Sequence, residues 1–167
     1  MAVREPGLAV FDAMPDDVAY AALLACCSSP GVARSLVAGR PYPSVRAFLD
    51  AADTAVARLS ESEVDLALAR HPRIGERSDS SDSAREQAGM TNATDDVRTA
   101  LAEGNRAYEK RFGHLYLVCA TGESAEELLA LLTDRLRNDP ETERRVVRIE
   151  LAKINRIRLG DLLAGQP

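Results

Sequence analysis

The stretch SVRAFLDAADTAVARLSESE, residues 44–63, decides the predicted fold class. Its apolar residues recur at helical spacing, at Val45, Phe48, Leu49, Ala52, Val56 and Leu59. A 3.6-residue period of this kind builds one apolar face that packs against a core. Ser44 is a favourable N-cap for this helix, and SESE at residues 60–63 matches the capping box that opens a second helix. Two helices therefore follow each other with no strand pattern between them.

Helical signals continue on both sides of this stretch. Further helices are predicted over residues 11–27 with Pro15 in the first turn, from about residue 30 to Gly39, over residues 83–90, 95–112 and 124–138, and from Pro140 to about Leu159. The strand-like run LYLVCA, residues 115–120, is too short and solitary to build a sheet, so we expect extended chain that crosses the core. The prediction is an all-α fold, a single-domain multi-helix bundle with no significant sheet.

Length and charge limit the classes of partner. The 167 residues predict one domain over residues 1–167 with its core over about 11–163, since a chain of this size buries roughly 70% of its unfolded surface. A net charge of -5 repels phosphate backbones and anionic lipid heads, and no basic stripe offsets it. Nucleic acid and membrane are therefore not expected as partners.

Targeting and cysteine signals favour a cytoplasmic protein. No apolar stretch approaches the ~20 residues that a membrane span needs, and Glu5 and Pro6 stand where a signal peptide would be apolar. The three cysteines, Cys26, Cys27 and Cys119, lack CxxC spacing, so we expect reduced, buried small residues and no zinc site.

The chain has only two histidines, and His71 lies in the more polar context. Pro72 disfavours helical backbone at His71, so the preceding helix is predicted to end there, before a Ser- and Asp-rich loop. A histidine at a helix C-terminus can simply interact with the dipole and the last carbonyls. It can also serve as a general acid or base near neutral pH. His114, within an apolar segment, is expected to be a satisfied or surface histidine.

SAREQ at residues 83–87 also allows two interpretations. Ser83 and Glu86 match a capping box, a purely structural device that this chain repeats at Ser60 and Ser124. Alternatively, this helix N-terminus offers a carboxylate, an amide and free backbone N–H groups beside His71. The loop before it is expected to be a solvated connection, or otherwise a lid over the site.

Other chemistries lack their motifs. HExxH and HxH metal patterns do not occur, nor do the nucleotide and hydrolase motifs GxxxxGK[ST], GxGxxG and GxSxG. Both lysines, Lys110 and Lys153, lie in charged helical segments, which argues against a Schiff base. The sequence therefore predicts no metal site and no nucleotide cofactor.

Several blocks of the sequence together resemble one known family. The blocks are ACCSS (25–29), RPYPS (40–44), HPRIG (71–75), SAREQAG (83–89), NRAYEKRFGHLYLVCATG (105–122), RLRND (135–139) and KINRIRLGDL (153–162). In order and spacing they resemble the 2-oxo-4-hydroxy-4-carboxy-5-ureidoimidazoline (OHCU) decarboxylase family of urate degradation. The chain departs from the family in lacking a tryptophan shortly after its CC pair.

The resemblance implies a function and a site. It implies an all-helical enzyme, usually a homodimer, that needs no cofactor and converts OHCU into (S)-allantoin and CO2. The residues carried over are His71 and Glu86 as catalytic groups and Pro72, Ser83, Gln87, Tyr116, Val118 and Arg158 as substrate-binding groups. Without the resemblance, Arg156 and Arg158 would be expected only to complement a helix C-terminus at the surface.

Two other functions remain open from the sequence. A non-catalytic helical binding module is favoured if Ser83 and Glu86 only cap their helix and His71 faces solvent. A decarboxylase or hydrolase of another ureido acid is the third possibility, because pocket contacts set substrate identity and the sequence shows no pocket shape.

Overall fold

The computed structural model describes residues 5–76 and 85–165, and there the fold is all-α, as predicted. Within these ranges the α-helices are α1 (Pro6–Ala13), α2 (Asp16–Cys27), α3 (Pro30–Ala38), α4 (Val45–Ala57), α5 (Glu61–Ala69), α6 (Asp95–Phe112), α7 (Ala125–Arg135) and α8 (Pro140–Leu163). A 3₁₀ turn, Ala88–Met90, lies between α5 and α6. None of the described residues forms a β-strand.

The capping signals work as predicted. The Ser44 hydroxyl accepts the Ala47 N–H at 3.1 Å and opens α4. In the capping box of α5, the Glu63 N–H donates to the Ser60 hydroxyl at 3.2 Å, and the Glu63 carboxylate accepts the Ser60 N–H at 2.8 Å. The box of α7 is also complete. These side chains satisfy N–H groups that have no partner within the helix.

Several helix boundaries differ from the prediction. The helix predicted over residues 124–138 ends at Arg135, and the helix predicted through residue 90 gives way to the 3₁₀ turn Ala88–Met90. Residues 11–27 are not one helix, because α1 already begins at Pro6 and Met14 interrupts the chain in an extended conformation at ψ 144°. Pro15 imposes that conformation on the residue before it and is itself the N-cap of α2. The last helix runs to Leu163, beyond the expected end near Leu159.

Contacts divide the chain into two compact units, and the first is formed by Met1–Ala67 and Ala152–Pro167. In this unit α2 packs on α3 and α3 packs on α4. Phe48 lies at its centre, with the rings of Phe11 and Tyr42 each 5.2 Å away between centroids. Cys26 and Cys27 are buried here, as predicted, and both are free thiols.

The second unit is Leu68–Leu151, in which α6 packs on α7. Its core joins Ile74, Met90, Leu101, Tyr108, Tyr116, Val118, Ala120, Ala125, Leu128 and Leu132. The run over residues 115–120 is non-helical and passes through this core, as predicted. Cys119 within it is only half-buried, which corrects the expectation that all three cysteines are buried.

The remaining sequence expectations about the fold concern membrane spans and the number of domains. No helix in the described ranges is long and apolar enough to cross a membrane. The single domain over residues 1–167 stays a prediction, because a division by contacts does not show whether either unit folds alone.

Candidate active site

His71 is enclosed by protein. Helix α5 ends at Ala69, and the backbone N–H of His71 donates to the Leu68 carbonyl at 3.1 Å. The residue is only 9% exposed, and its Nε2 atom is buried. The condition that favoured a binding module, an imidazole that faces solvent, is therefore not met. Pro72 follows in a non-helical, half-buried position.

Side chains from two other segments hold the HPRIG motif that contains His71. The Gln87 side-chain oxygen accepts the Gly75 N–H at 2.9 Å, and its amide nitrogen donates to the Arg73 carbonyl at 3.5 Å. From α6, the Asn105 amide donates to the Ile74 carbonyl at 3.1 Å. The backbone after His71 is thus fixed on both sides.

The sequence predicted a role for Gln87 but not for Asn105. Substrate binding by Gln87 stays a prediction, and the structure shows that its side chain supports the motif through Gly75. Asn105 is not among the predicted site residues. Its position on the otherwise apolar stripe of α6 was the signal for a buried polar contact.

A cavity of about 400 Å³ lies beside the HPRIG motif. Its walls include Arg73, Ile74, Met90, Arg98 and Asn105, and none of the predicted site residues that the structure describes lines it. Arg73 is held there by Glu109, with its Nε 2.5 Å from the carboxylate, and this hydrogen bond raises the pKa of Arg73. The cavity therefore lies on a side of the HPRIG motif away from the described residues that are predicted to bind substrate or transfer protons.

The charge of Glu86 acts on the thiol of Cys119, in the extended segment of residues 115–120. Burial raises the pKa of the Cys119 thiol, and the charges of Glu150 and Glu86 raise it further. Ser83, the predicted capping partner of Glu86, lies outside the described residues, and an orienting contact between Glu86 and His71 stays a prediction.

The extended segment presents main-chain groups in two directions. The Leu117 carbonyl accepts a hydrogen bond from Arg135, and the Cys119 N–H donates to Glu150 at 3.0 Å. Since main-chain groups of successive residues in extended chain point to opposite sides, those of Val118 point away from these partners. Among the described residues, the Val118 N–H and C=O have no hydrogen-bond partner, although Val118 is only 5% exposed.

A buried polar network in this unit was missed by the sequence reasoning. Arg135 is 6% exposed and Glu143 is fully buried, and the Arg135 Nε lies 2.7 Å from the Glu143 carboxylate. Burial opposes the arginine charge, but the hydrogen bond and charge of Glu143 outweigh it, so the pKa of Arg135 is raised. Tyr108 donates to the same carboxylate, and burial followed by this bond raises the pKa of Tyr108.

The helical period contained a signal for this network. Arg135 continues the apolar stripe of Leu128 and Leu132 at helical spacing, which places it on the buried face of α7. Glu143 likewise begins the buried stripe that continues through Val147. An arginine and a glutamate on two buried faces indicate a buried ion pair, because a lone buried charge is too costly.

Arg158 belongs to the first unit and is 8% exposed. Its Nη1 donates to the Cys26 carbonyl at 3.3 Å. The alternative in which this arginine only solvates the surface is therefore wrong. Arg156, on the same helix, does lie at the surface, where it pairs with Asp53 at 2.7 Å.

His114 has a structural environment, as expected. Its Nδ1 lies 3.1 Å from the Leu115 carbonyl, and its ring is stacked with Phe112 at 6.2 Å between centroids. Across the described parts of the chain, no three His, Cys, Asp or Glu side chains form a group that could hold a metal ion.

Sequence comparison identifies relatives over most of the chain. A family model described as OHCU decarboxylase matches residues 12–160. The OHCU decarboxylase of Amia calva is 30% identical over 142 residues, which cover 80% of this chain and 81% of that protein. The "Uric acid degradation bifunctional protein TTL" of Arabidopsis thaliana is 29% identical over 84% of this chain, which spans only 46% of that relative.

Structural comparison gives the same fold. A crystal structure of an OHCU decarboxylase in the presence of (S)-allantoin matches 90% of this chain and 99% of its own, with a TM-score of 0.75 and 24% identity. At 24% identity this likeness shows the fold alone.

Proposed function

Because the chain belongs to the OHCU decarboxylase family, we propose that it converts OHCU into (S)-allantoin and CO2. The family match over residues 12–160 carries this proposal. The burial of His71 supports it, since a general acid or base works best where water is excluded. The reaction class is carboxy-lyase.

The substrate can supply its own electron sink. When the bond between the ring carbon and the carboxylate breaks, CO2 leaves and the electron pair moves toward the adjacent C=N bond. The nitrogen gains a proton, the hydroxyl loses one to become the carbonyl, and a proton is added to the neighbouring carbon. No pyridoxal phosphate or thiamine is needed for such a step, so the protein has to bind, orient and transfer protons.

We assign proton transfer at the substrate hydroxyl to His71, oriented by Glu86. A carboxylate beside an imidazole selects its tautomer and stabilises its charged form. Acid–base help of this kind contributes about 10²–10⁴-fold in rate, with orientation and electrostatics supplying the rest. Delivery of the carbon-bound proton from one face would give a single enantiomer.

The remaining family residues would bind the substrate: Pro72, Ser83, Gln87, Tyr116, Val118 and Arg158. Gln87 keeps one amide N–H for substrate while its oxygen is used by Gly75. The main chain at Val118 offers a donor and an acceptor that match a ureido edge. An arginine such as Arg158 suits a carboxylate or carbonyl because its planar fork binds two oxygens together.

Assembly and location are part of the same proposal. We propose a cytoplasmic homodimer, as is usual for the family, with no nucleic-acid partner, because the net charge of -5 disfavours phosphate backbones. Light scattering of the purified chain at several concentrations tests this point. A monomer at every concentration would contradict the dimer.

The activity test uses freshly made OHCU. We expect the protein to accelerate the loss of its ultraviolet absorbance, with the same rate before and after treatment with EDTA. A panel of other ureido acids tests the substrate assignment, and faster turnover of one of them would replace OHCU as the substrate. Activity that EDTA abolishes would contradict the cofactor-free mechanism.

A further inference from the structure

No strand in the described ranges lies beside the extended segment of residues 115–120, and side chains satisfy its main chain on one side. Arg135, from the end of α7, donates to the Leu117 carbonyl. Glu150, from α8, accepts the Cys119 N–H at 3.0 Å. These two contacts lie on either side of Val118 in the sequence and set the rotation of the segment about its own axis.

That rotation decides where Val118 presents its main chain. The Tyr116, Val118 and Ala120 side chains belong to the core of the second unit. The Val118 N–H and C=O have no hydrogen-bond partner among the described residues. A buried main-chain pair without partners costs free energy unless a ligand or water satisfies it.

Arg135 is itself held in one position. Its guanidinium makes two contacts with one Glu143 oxygen, at 2.7 Å from Nε and 2.5 Å from Nη2. Asn138 donates to the other Glu143 oxygen at 3.0 Å. The guanidinium also lies over the Tyr116 ring, 4.8 Å from its centroid. An arginine fixed on so many sides is preorganised to direct its remaining N–H groups.

We propose that Arg135, fixed by Glu143, is a positioning residue that holds the Val118 N–H and C=O in place to bind the ureido edge of the substrate. This inference rests on the proposed function. Arg135 touches no reacting atom, and acts through the Leu117 carbonyl on the next residue. Its contribution is to substrate binding and not to proton transfer.

The variant Arg135→Lys tests the proposal, because lysine keeps the charge but cannot bind Glu143 and Leu117 with the same planar fork. We expect the KM for OHCU to rise about tenfold, the effect of one misplaced neutral hydrogen bond. The value of kcat and the pH dependence of the rate should stay close to those of wild type, since His71 is untouched.

Tyr108→Phe is the matched control. It removes the hydroxyl that donates to Glu143 but leaves the bond between Arg135 and Leu117 in place. We expect a lower melting temperature with an unchanged KM. An equal rise in KM for Tyr108→Phe would show that the network only stabilises the fold, and would overturn the proposal.

A second variant covers the case in which Arg135→Lys does not fold. Glu150→Ala removes the acceptor of the Cys119 N–H from a half-buried position. It should raise KM in the same way, with kcat retained. An unchanged KM in this variant overturns the proposal. Wild-type protein that does not turn over OHCU would instead contradict the proposed function, so the two failures are distinguishable.

Discussion

At the scale of single residues, His71 combines burial with an imidazole, a side chain that can donate or accept a proton. It lies just after α5, and the HPRIG backbone that follows it is tied to Gln87 and Asn105. The position is non-helical and followed by proline, so a change of its side chain leaves no helical hydrogen bond broken.

We expect His71→Asn to keep the fold and lose most of the activity. Asparagine is smaller but polar, and it has no group that titrates. The rate should fall by about 10²-fold or more, as measured by OHCU turnover, while far-ultraviolet circular dichroism stays unchanged. Turnover near the wild-type rate in a folded His71→Asn protein would refute its role in proton transfer.

Glu86→Gln separates a catalytic role from a capping role. If Glu86 only caps a helix, glutamine replaces it with a change of a few tenths of a kcal/mol and no effect on rate. If Glu86 orients His71, loss of its charge should lower activity by at least about tenfold and shift the pH profile of the rate. We expect the second result, with an almost unchanged melting temperature.

Glu127→Gln is the matched control for this experiment. Glu127 occupies a complete capping box at α7, where its carboxylate accepts the Ser124 N–H at 2.9 Å. We expect this variant to retain full activity, with a melting temperature only slightly below that of wild type. Full activity with an unchanged pH profile in Glu86→Gln as well would reduce Glu86 to a capping residue.

At the scale of helices, the capping boxes give a pH dependence with a definite sign. The Ser60 N–H, the Ser60 hydroxyl and the Arg34 charge lower the pKa of Glu63 in the folded protein. A lowered pKa stabilises the fold above the unfolded value of about 4.3, and this stabilisation is lost as the pH falls through the folded pKa.

Glu63→Gln should therefore have a pH-dependent effect on stability. Its melting temperature should lie slightly below that of wild type at pH 7, because the ionised acceptor is lost. The difference should shrink toward zero as the pH falls below about 4. Thermal unfolding of both proteins across this range measures it, and a difference that does not depend on pH contradicts the linkage.

Helix ends were predictable from the sequence where contacts within a few residues determine them. They were less predictable where distant parts of the chain determine the structure. Ser44, Ser60 and Gly113 mark helix ends through contacts within a few residues, and all three were assigned correctly. The break at Met14 was missed because one helical pattern was continued through Pro15. The ion pair of Arg135 was not predicted, because its partner Glu143 lies on another helix and only the fold brings the two side chains together.

At the scale of the whole molecule, the fold and family agree with the sequence prediction. The family match covers residues 12–160, close to the predicted core of about 11–163. The chain spans 81% of the Amia calva relative but only 46% of the bifunctional Arabidopsis relative. The proposal that the chain decarboxylates OHCU rests on this family match.

The product of the reaction tests that claim most directly. Decay of OHCU in buffer adds the proton from either face and gives racemic allantoin, whereas a chiral site directs it to one face. Circular dichroism of allantoin, recorded while fresh OHCU reacts with the purified chain, reports both rate and handedness. We predict an excess of (S)-allantoin formed faster than in buffer. Racemic allantoin formed at the buffer rate would contradict the account.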